Sequence, residues 1–186
     1  MGIVNYSALA RKIMKEENIE NFDAIISTLK RIPKSEREPT SIKRILKNSK
    51  IETVTGLSYI VLKSTTANMR KAVNSLASII RDYHKYRIVQ SVQGIGVIID
   101  DSDLDRFILS IPRTEIIEEM RNIGELIVTS NEDTTYIKGY VAYITNLLAS
   151  NDINMLQIIS FYTDVTVILE IKDVSRAFEV LIKEIS

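Results

Sequence analysis

Two stretches of this chain repeat the same order of strand-like and helix-like patterns, and this repetition constrains the fold more than any other feature. The strand-like segments are rich in valine, isoleucine, threonine and tyrosine, whereas hydrophobic residues recur every three or four positions in the helix-like ones. The predicted strands are residues 51–63, 87–92, 95–99, 115–121, 125–129, 153–162 and 165–170. The predicted helices begin at Thr65 or Thr66, at Ser102 or Asp103, after Gly139 and at Asp173.

A residue echo supports the repeat. Asp103 and Arg106 in the first copy return as Asp173 and Arg176 in the second, each after 70 residues. A βαββαβ unit is the ferredoxin-like split βαβ motif. The expected fold class is therefore α+β, with a short N-terminal helical, helix-turn-helix-like module followed by two ferredoxin-like repeats. The predicted domains are residues 1–50, 51–121 and 122–186.

Two local features and one missing strand refine this prediction. Gly56 predicts a bulge or kink in the first long strand, and residues 122–124 predict a turn between the copies. The second copy ends after its last helix and lacks a fourth strand. Because unpaired sheet edges tend to be covered, either the copies share strands within one chain or another chain covers the edge. We expect a homodimer or a larger assembly.

The N-terminal segment differs in charge from the rest of the chain. Residues 1–50 hold 11 Lys and Arg against 6 Asp and Glu, whereas residues 51–186 hold 13 against 18. A basic segment of this kind can meet a polyanion. Hydrophobic spacing predicts two helices here, the second capped by Asn21, and then a third short helix that starts at Thr40 or Ser41.

The first two of these helices resemble a helix-turn-helix. In that arrangement the second helix would present Ser27, Lys30 and Arg31 outward, and these residue types contact phosphates and base edges. A helical hairpin with a purely structural role is the alternative. DNA is thus one expected partner, through residues 1–50.

The chain offers little for catalysis or for metal binding. It has no cysteine, and its single histidine, His84, lies in a polar stretch typical of a solvated surface. Gly94 and Gly96 lack the third glycine of a dinucleotide loop and predict a hairpin turn instead. The acidic run 100–105 lacks the glycine and glutamate of a calcium loop and favours a helix N-terminus. We expect no enzyme activity, no metal and no cofactor.

The hydropathy of the sequence argues against a membrane protein. No apolar run approaches the roughly 18 residues that a span requires, and the first residues lack the apolar region of a signal peptide. We expect a cytoplasmic protein with no membrane partner.

The second copy resembles a known domain family. Its pattern is a glycine that opens the first helix, an Ile-Asn pair after that helix, and an aspartate at the start of the closing helix; these are Gly139, Ile153, Asn154 and Asp173. This pattern is similar to the ACT domain over residues 125–185. The first copy, residues 57–121, is similar mainly in the order of its elements, and it has no glycine at the helix-opening position.

The chain as a whole resembles an archaeal family of uncharacterised proteins with an N-terminal helix-turn-helix-like segment and two ACT-like domains. The matching stretches are residues 3–13 and 24–31. Members of that family often have a further helix before this point, which this chain lacks.

The ACT resemblance implies an amino-acid pocket between the loop before the first helix and the start of the next strand, usually at a dimer interface. The residues that match those places are Ile137, Lys138, Gly139, Tyr140, Ile153, Asn154 and Met155. Amide groups at the helix N-terminus would receive a carboxylate, Lys138 would add charge, and Asn154 would bind either end of the ligand. The alternative is that Gly139 only permits a tight turn and Asn154 only closes one.

These features favour a non-enzymatic, amino-acid-sensing regulator, with DNA as the target of residues 1–50 if it is a transcriptional regulator. Two alternatives stay open. One is a regulatory or docking subunit of a biosynthetic enzyme, and the other is a dimerisation scaffold without a ligand. Salt-dependent DNA binding would separate the first function from the docking alternative.

Overall fold

A computed structural model of the chain describes residues 6–17, 21–31, 39–79 and 85–185. The chain divides into two compact units, Met1–Pro39 and Thr40–Ser186. In the first unit, helices α1 (Tyr6–Glu17) and α2 (Phe22–Arg31) contact each other. Short helices are marginal alone, so this mutual packing is what the sequence requires of them.

Asn21 caps α2, as its sequence predicts. Its side-chain Oδ1 accepts the amide of Ala24 at 3.0 Å, and its carbonyl accepts the amide of Ile25 at 3.3 Å. A short polar side chain at this position satisfies an amide that the first helical turn leaves without a partner.

From residue 39 onward the chain builds one six-stranded antiparallel sheet with helices on one face. Its elements are α3 (Pro39–Lys47), β1 (Lys50–Lys63), α4 (Thr66–Ile79), β2 (Arg87–Gln90), β3 (Gly94–Asp100), α5 (Asp101–Ile108), a 3₁₀ turn (Arg113–Glu115), β4 (Ile116–Thr129), α6 (Tyr140–Ala149), β5 (Gln157–Phe161), β6 (Asp164–Glu170) and α7 (Ile171–Ile185).

The two long strands β1 and β4 lie side by side at the centre of the sheet, and each serves both copies of the repeat. The strand order is β2-β3-β1-β4-β6-β5. Residues 57–63 of β1 pair with β3 and with the first half of β4, which completes the first copy. Residues 50–54 of β1 pair with residues 125–129 of β4 and complete the second. The strand that the second copy lacks is therefore supplied within the same chain.

The predicted turn at residues 122–124 is wrong. β4 continues without reversal, and Asn122, with φ of 58°, shifts its register against β1. Asparagine tolerates this left-handed conformation, and a single such residue in a strand makes a bulge. Gly56, with φ of 73°, does the same in β1, which confirms the predicted bulge there. The expected boundary between residues 121 and 122 thus falls inside one strand.

Each copy has its own hydrophobic core under its helices. α4 and α5 cover the first, which includes Leu76 and Phe107, and α6 and α7 cover the second, which includes Ile144 and Leu181. α3 also packs into the second core, through a buried stripe formed by Ile42, Ile45 and Leu46. The sequence grouped this helix with residues 1–50, but its apolar side is buried against the sheet unit.

The hairpin predicted at Gly94 is confirmed, with Arg87 of β2 opposite Ile98 of β3.

Two predicted helix caps are wrong, because α5 and α7 follow their strands directly. Asp100 caps α5 by accepting the Ser102 amide at 2.9 Å. A hydrogen bond from Lys85 and a second from Ser102 lower the pKa of Asp100 to about 2. α7 begins at Ile171, which puts Asp173 in its first turn.

In the described parts of the chain, no helix is both long enough and apolar enough to cross a membrane. The same parts contain no group of three or more histidine or acidic side chains placed to hold a metal ion. His84 lies outside the described residues.

Candidate functional site

The ten residues between β4 and α6 fold onto the tip of the β5–β6 hairpin. The amide of Ser130 donates to the carbonyl of Thr163 at 2.9 Å, and the hydroxyl of Thr134 donates to the carbonyl of Tyr162 at 2.9 Å. Within the loop, the amide of Ile137 donates to the carbonyl of Thr134 at 3.0 Å. These bonds fix the loop against the hairpin and leave a cleft between them.

The N-terminus of α6 opens into this cleft. Gly139 is the N-cap residue of α6, and its φ is 87°. Because glycine has no side chain, the helix has no side-chain cap. Glycine is suited to this left-handed conformation because it has no Cβ. The amide of Tyr143 donates to the Gly139 carbonyl at 2.8 Å, but the amides of Val141 and Ala142 have no acceptor among the described residues. The first turn therefore presents two amides that need a partner.

The cleft has a volume of about 570 Å³. This is within the range of small-molecule pockets. Its lining combines apolar side chains, two tyrosines and three hydroxyl groups; the residues are Thr134, Thr135, Ile137, Gly139, Tyr140, Val141, Ala142, Ser160, Phe161 and Tyr162. The cleft thus combines backbone amides with hydroxyl groups, and these can receive the two polar ends of a small zwitterion.

Tyr140 anchors α6 in the second core. Its side chain is almost fully buried, and burial raises the pKa of its hydroxyl, while Ser49 beside it opposes the shift. The hydroxyl has no hydrogen-bond partner in the described part of the protein. The Ser49 hydroxyl instead donates to the carbonyl of Ile45 at 2.8 Å.

Three of the seven residues predicted for the ligand pocket line this cleft: Ile137, Gly139 and Tyr140. Lys138, predicted to add charge, is exposed and is not part of the lining. Whether the three bind a ligand stays a prediction.

The remaining predicted pocket residues do not lie near those that line the cleft. Ile153, Asn154 and Met155 follow the C-terminal end of α6, about 15 Å from its N-terminus, given the rise of 1.5 Å per residue over ten residues. The expected cleft between the two groups is therefore not formed within one chain. Ile153 is buried in the second core, Met155 packs against that core, and Asn154 is exposed.

The sequence missed the wall of the cleft that comes from the end of β5. Ser160, Phe161 and Tyr162 belong to it because β5 pairs with β6, and Phe161 lies opposite Asp164. Phe161 is 79% exposed and Tyr162 is 63% exposed. Large exposed aromatic side chains beside a cleft are the signal that could have found them, once the strand ends were known.

The corresponding place in the first copy is closed. Only Ser64 and Thr65 separate β1 from α4, and the Thr65 hydroxyl accepts the amide of Asn68 at 3.1 Å. The buried Asn68 side chain donates to the carbonyl of Lys63 at 3.0 Å and to Oε2 of Glu115 at 2.8 Å. The Asn68 amide in the first turn of α4 is thus capped by Thr65, whereas the first turn of α6 has no side-chain cap.

A second polar feature lies on the sheet face without helices. Glu125 is fully buried, and its Oε2 accepts a hydrogen bond from Arg87 at 3.1 Å, while its Oε1 has no partner among the described residues. Burial raises the pKa of Glu125, and the Arg87 charge opposes that shift. Because Arg87 is on β2 and Glu125 is in the second half of β4, this pair ties the two copies together.

The residues predicted to contact nucleic acid lie on α2. Ser27 is exposed, and its hydroxyl donates to the carbonyl of Asp23 in the preceding turn. The side chains of Lys30 and Arg31 lie outside the described part of the structure. DNA contact through this helix stays a prediction.

Neither a family model nor a curated protein matches the chain. Solved structures do. Aspartate kinase of Clostridium acetobutylicum aligns with a TM-score of 0.61 and 18% identity, over 73% of this chain and 34% of that one. This chain therefore spans about a third of the length of that enzyme. The resemblance to an archaeal family stays a prediction.

Two further structures extend the comparison. The regulatory subunit of aspartate kinase from Thermus thermophilus aligns with a TM-score of 0.59 and 14% identity, over 73% of this chain and 96% of that one. Aspartokinase III of E. coli in complex with lysine and aspartate aligns with a TM-score of 0.55 and 11% identity, over 73% and 32%. These similarities establish the fold, which is α+β and ferredoxin-like, with two units of the ACT type.

Proposed function

We propose that this protein is an amino-acid-sensing regulatory protein rather than an enzyme, and that it binds its ligand in the cleft at the N-terminus of α6. The observation that carries the proposal is that the amides of Val141 and Ala142 have no acceptor among the described residues and that both residues line a cleft of about 570 Å³. The matching helix of the first copy is capped by Thr65.

The chemistry of an amino acid fits this arrangement. Its carboxylate would accept hydrogen bonds from the two amides, where the helix dipole adds about 0.3–1 kcal/mol. Its ammonium group would donate to hydroxyl oxygens such as those of Thr135 and Ser160. The structural resemblance to a regulatory subunit of aspartate kinase supports a regulatory role.

A thermal-shift screen with the twenty amino acids tests the proposal. We expect at least one of them to raise the melting temperature, because a ligand at 100 times its Kd stabilises a protein by about 2.7 kcal/mol. Ala142→Asp should abolish that shift, since a fixed carboxylate would occupy the amides and repel the ligand. Ala149→Asp, at the exposed opposite end of α6, is the matched control and should keep the shift. If no amino acid at millimolar concentration stabilises the wild type, the protein is not a sensor of this kind.

The proposal includes a homodimer or larger assembly. The sheet does not require one to complete its second copy, because β1 already does so. The support comes from the edge strand β5, where Ile158 and Phe161 are exposed beside the exposed Tyr162. Light scattering tests this part: Ile158→Lys should shift the mass towards the 21.1 kDa of one chain. A wild type that is monomeric at micromolar concentration would contradict it.

A second candidate function concerns residues 1–50, whose excess of five positive charges favours a polyanion. We infer that these residues carry the regulatory output, with DNA as the first candidate partner and an enzyme subunit as the alternative. If DNA is the partner, affinity should fall steeply with salt, and replacing Lys30 and Arg31 together by alanine should lower the slope by up to about 2. Absence of binding to DNA at low salt, with and without amino acids, would favour the enzyme partner.

A further inference from the structure

The cleft at the N-terminus of α6 has no charged side chain in its described lining. The two acidic residues of the loop before α6 already have partners. Glu132 pairs with Arg44 of α3 at 2.9 Å, and Asp133 accepts the amide of Thr135 at 2.9 Å. Lys138 is not among the lining residues.

The part of the lining that is left for a ligand side chain is apolar. Ile137, Val141, Ala142 and Phe161 contribute aliphatic and aromatic surface, and the hydroxyls of Thr134, Thr135 and Ser160 are the side-chain polar groups apart from the two tyrosines. One of these hydroxyls, that of Thr134, already donates to the Tyr162 carbonyl. The polar groups therefore suffice for the backbone ends of an amino acid but provide no counter-charge for its side chain.

We propose that the ligand of this cleft is an amino acid with an uncharged, apolar side chain, branched aliphatic or aromatic, and that lysine, aspartate and glutamate are rejected. This inference rests on the proposed sensing function. The described lining offers no counter-charge, so a charged side chain would gain no ion pair there. An apolar side chain would instead bury its surface against Ile137 and Phe161. The ligand class thus differs from the lysine and aspartate bound to E. coli aspartokinase III.

Titration calorimetry on the full chain tests the selectivity, with valine, leucine, isoleucine and phenylalanine compared against lysine, aspartate and glutamate. We expect the best apolar amino acid to bind at least about 10-fold more tightly than any charged one, which is within what pocket contacts achieve. Equal or tighter binding of lysine or aspartate would overturn this inference and leave the sensing function intact. Absence of binding by all seven, together with no shift for any of the twenty in the thermal screen, would overturn the sensing function itself.

A variant locates the selection in the cleft. Ser160→Asp adds a carboxylate to the lining on an exposed edge strand, and it should narrow the preference for leucine over lysine by about 10-fold. Ser150→Asp, at the exposed C-terminal end of α6, is the matched control and should leave the ratio unchanged. If both variants change the ratio equally, or neither changes it, the cleft does not select the side chain and the inference fails.

Discussion

The two copies differ most in the segment that joins the first strand to the first helix. In the first copy it is two residues long, and Thr65 and Asn68 turn inward to close the helix N-terminus. In the second copy it is ten residues long and ends in Gly139, which offers no side chain to the helix. The same arrangement of strands and helices therefore carries one helix N-terminus with a side-chain cap and one without.

The fold alone therefore does not determine how the N-terminus of a helix is capped in this protein. Both helices point their N-termini in the corresponding direction of their units, so both have the dipole that favours an anion. In the first copy the Thr65 hydroxyl caps the Asn68 amide, whereas in the second copy Gly139 has no side chain that could cap the amides of Val141 and Ala142.

The largest effect concerns α3, which packs only into the second core. Leu46→Ala should reduce the free energy of unfolding by about 2–5 kcal/mol, because Leu46 is fully buried and its removal leaves a cavity. Urea denaturation measures it. Leu109→Ala in the first copy is the control, since Leu109 is 88% exposed and should change stability by about 0.5 kcal/mol or less. Equal costs for the two variants would show that α3 is not part of the core.

The second experiment tests the backbone at Gly139. Its φ of 87° is unfavourable for residues with a Cβ, so Gly139→Ala should cost about 1–2 kcal/mol even though a Cβ would only touch Ile42 at 3.8 Å. Gly139→Asn should cost less, because asparagine tolerates this conformation. Thermal and urea unfolding of the two variants give the comparison. If alanine is tolerated as well as asparagine, the left-handed conformation is not required.

The third experiment removes the cap of the first copy. Thr65→Ala should destabilise the protein by about 0.5–2 kcal/mol, because the Asn68 amide loses its acceptor. Thr66→Ala, one residue later and exposed, is the control and should have little effect. Neither variant should alter the ligand-induced shift of melting temperature. A loss of that shift in Thr65→Ala would place the ligand in the first copy.

The smallest effect is a pH dependence at Glu125. Burial raises the pKa of its carboxyl in the folded state, and Arg87 only opposes this shift. The stabilising contribution is therefore complete below the unfolded pKa and is lost as pH rises through the folded one. Relative to Glu125→Gln, the wild type should gain stability as pH falls from 7 towards 4.5, measured by urea unfolding at several pH values. Glu118→Gln, exposed on the same strand, should show no such trend.

Tyr59 in the first copy is the counterpart of Glu125 in the second. Leu57 of β1 pairs with Ile123 of β4, and Tyr59 and Glu125 each lie two residues after one member of that pair. Burial raises the pKa of the Tyr59 hydroxyl, and the Glu118 charge adds to the shift. Tyr59 is neutral at neutral pH, so the first copy should contribute no comparable trend between pH 7 and 4.5. If the stability difference between the wild type and Tyr59→Phe changed with pH as much as the difference between the wild type and Glu125→Gln, the Glu125 argument would be wrong.

Much of the sheet unit could be predicted from the sequence, because its signals are local. Hydrophobic spacing located α4, α6 and α7, and the Gly94 region indicated the β2–β3 hairpin. Gly56 indicated the bulge in β1 because glycine, which has no Cβ, readily adopts the positive φ that it has there. At the candidate site, the resemblance of the second copy to the ACT domain indicated Gly139 and its neighbours Ile137 and Tyr140, which line the cleft.

The rest depends on partners that are distant in the sequence. Asn122 has the residue type of a turn, but β4 pairs with β1 both before and after it, so the strand continues past Asn122 as a bulge. Residues 150–156 follow α6 in the chain, yet the length of the helix carries them to its far end, whereas β5 returns Phe161 and Tyr162 to its beginning. Local patterns determine which segments are strands and helices, and only strand pairing decides which loop ends meet to form the cleft.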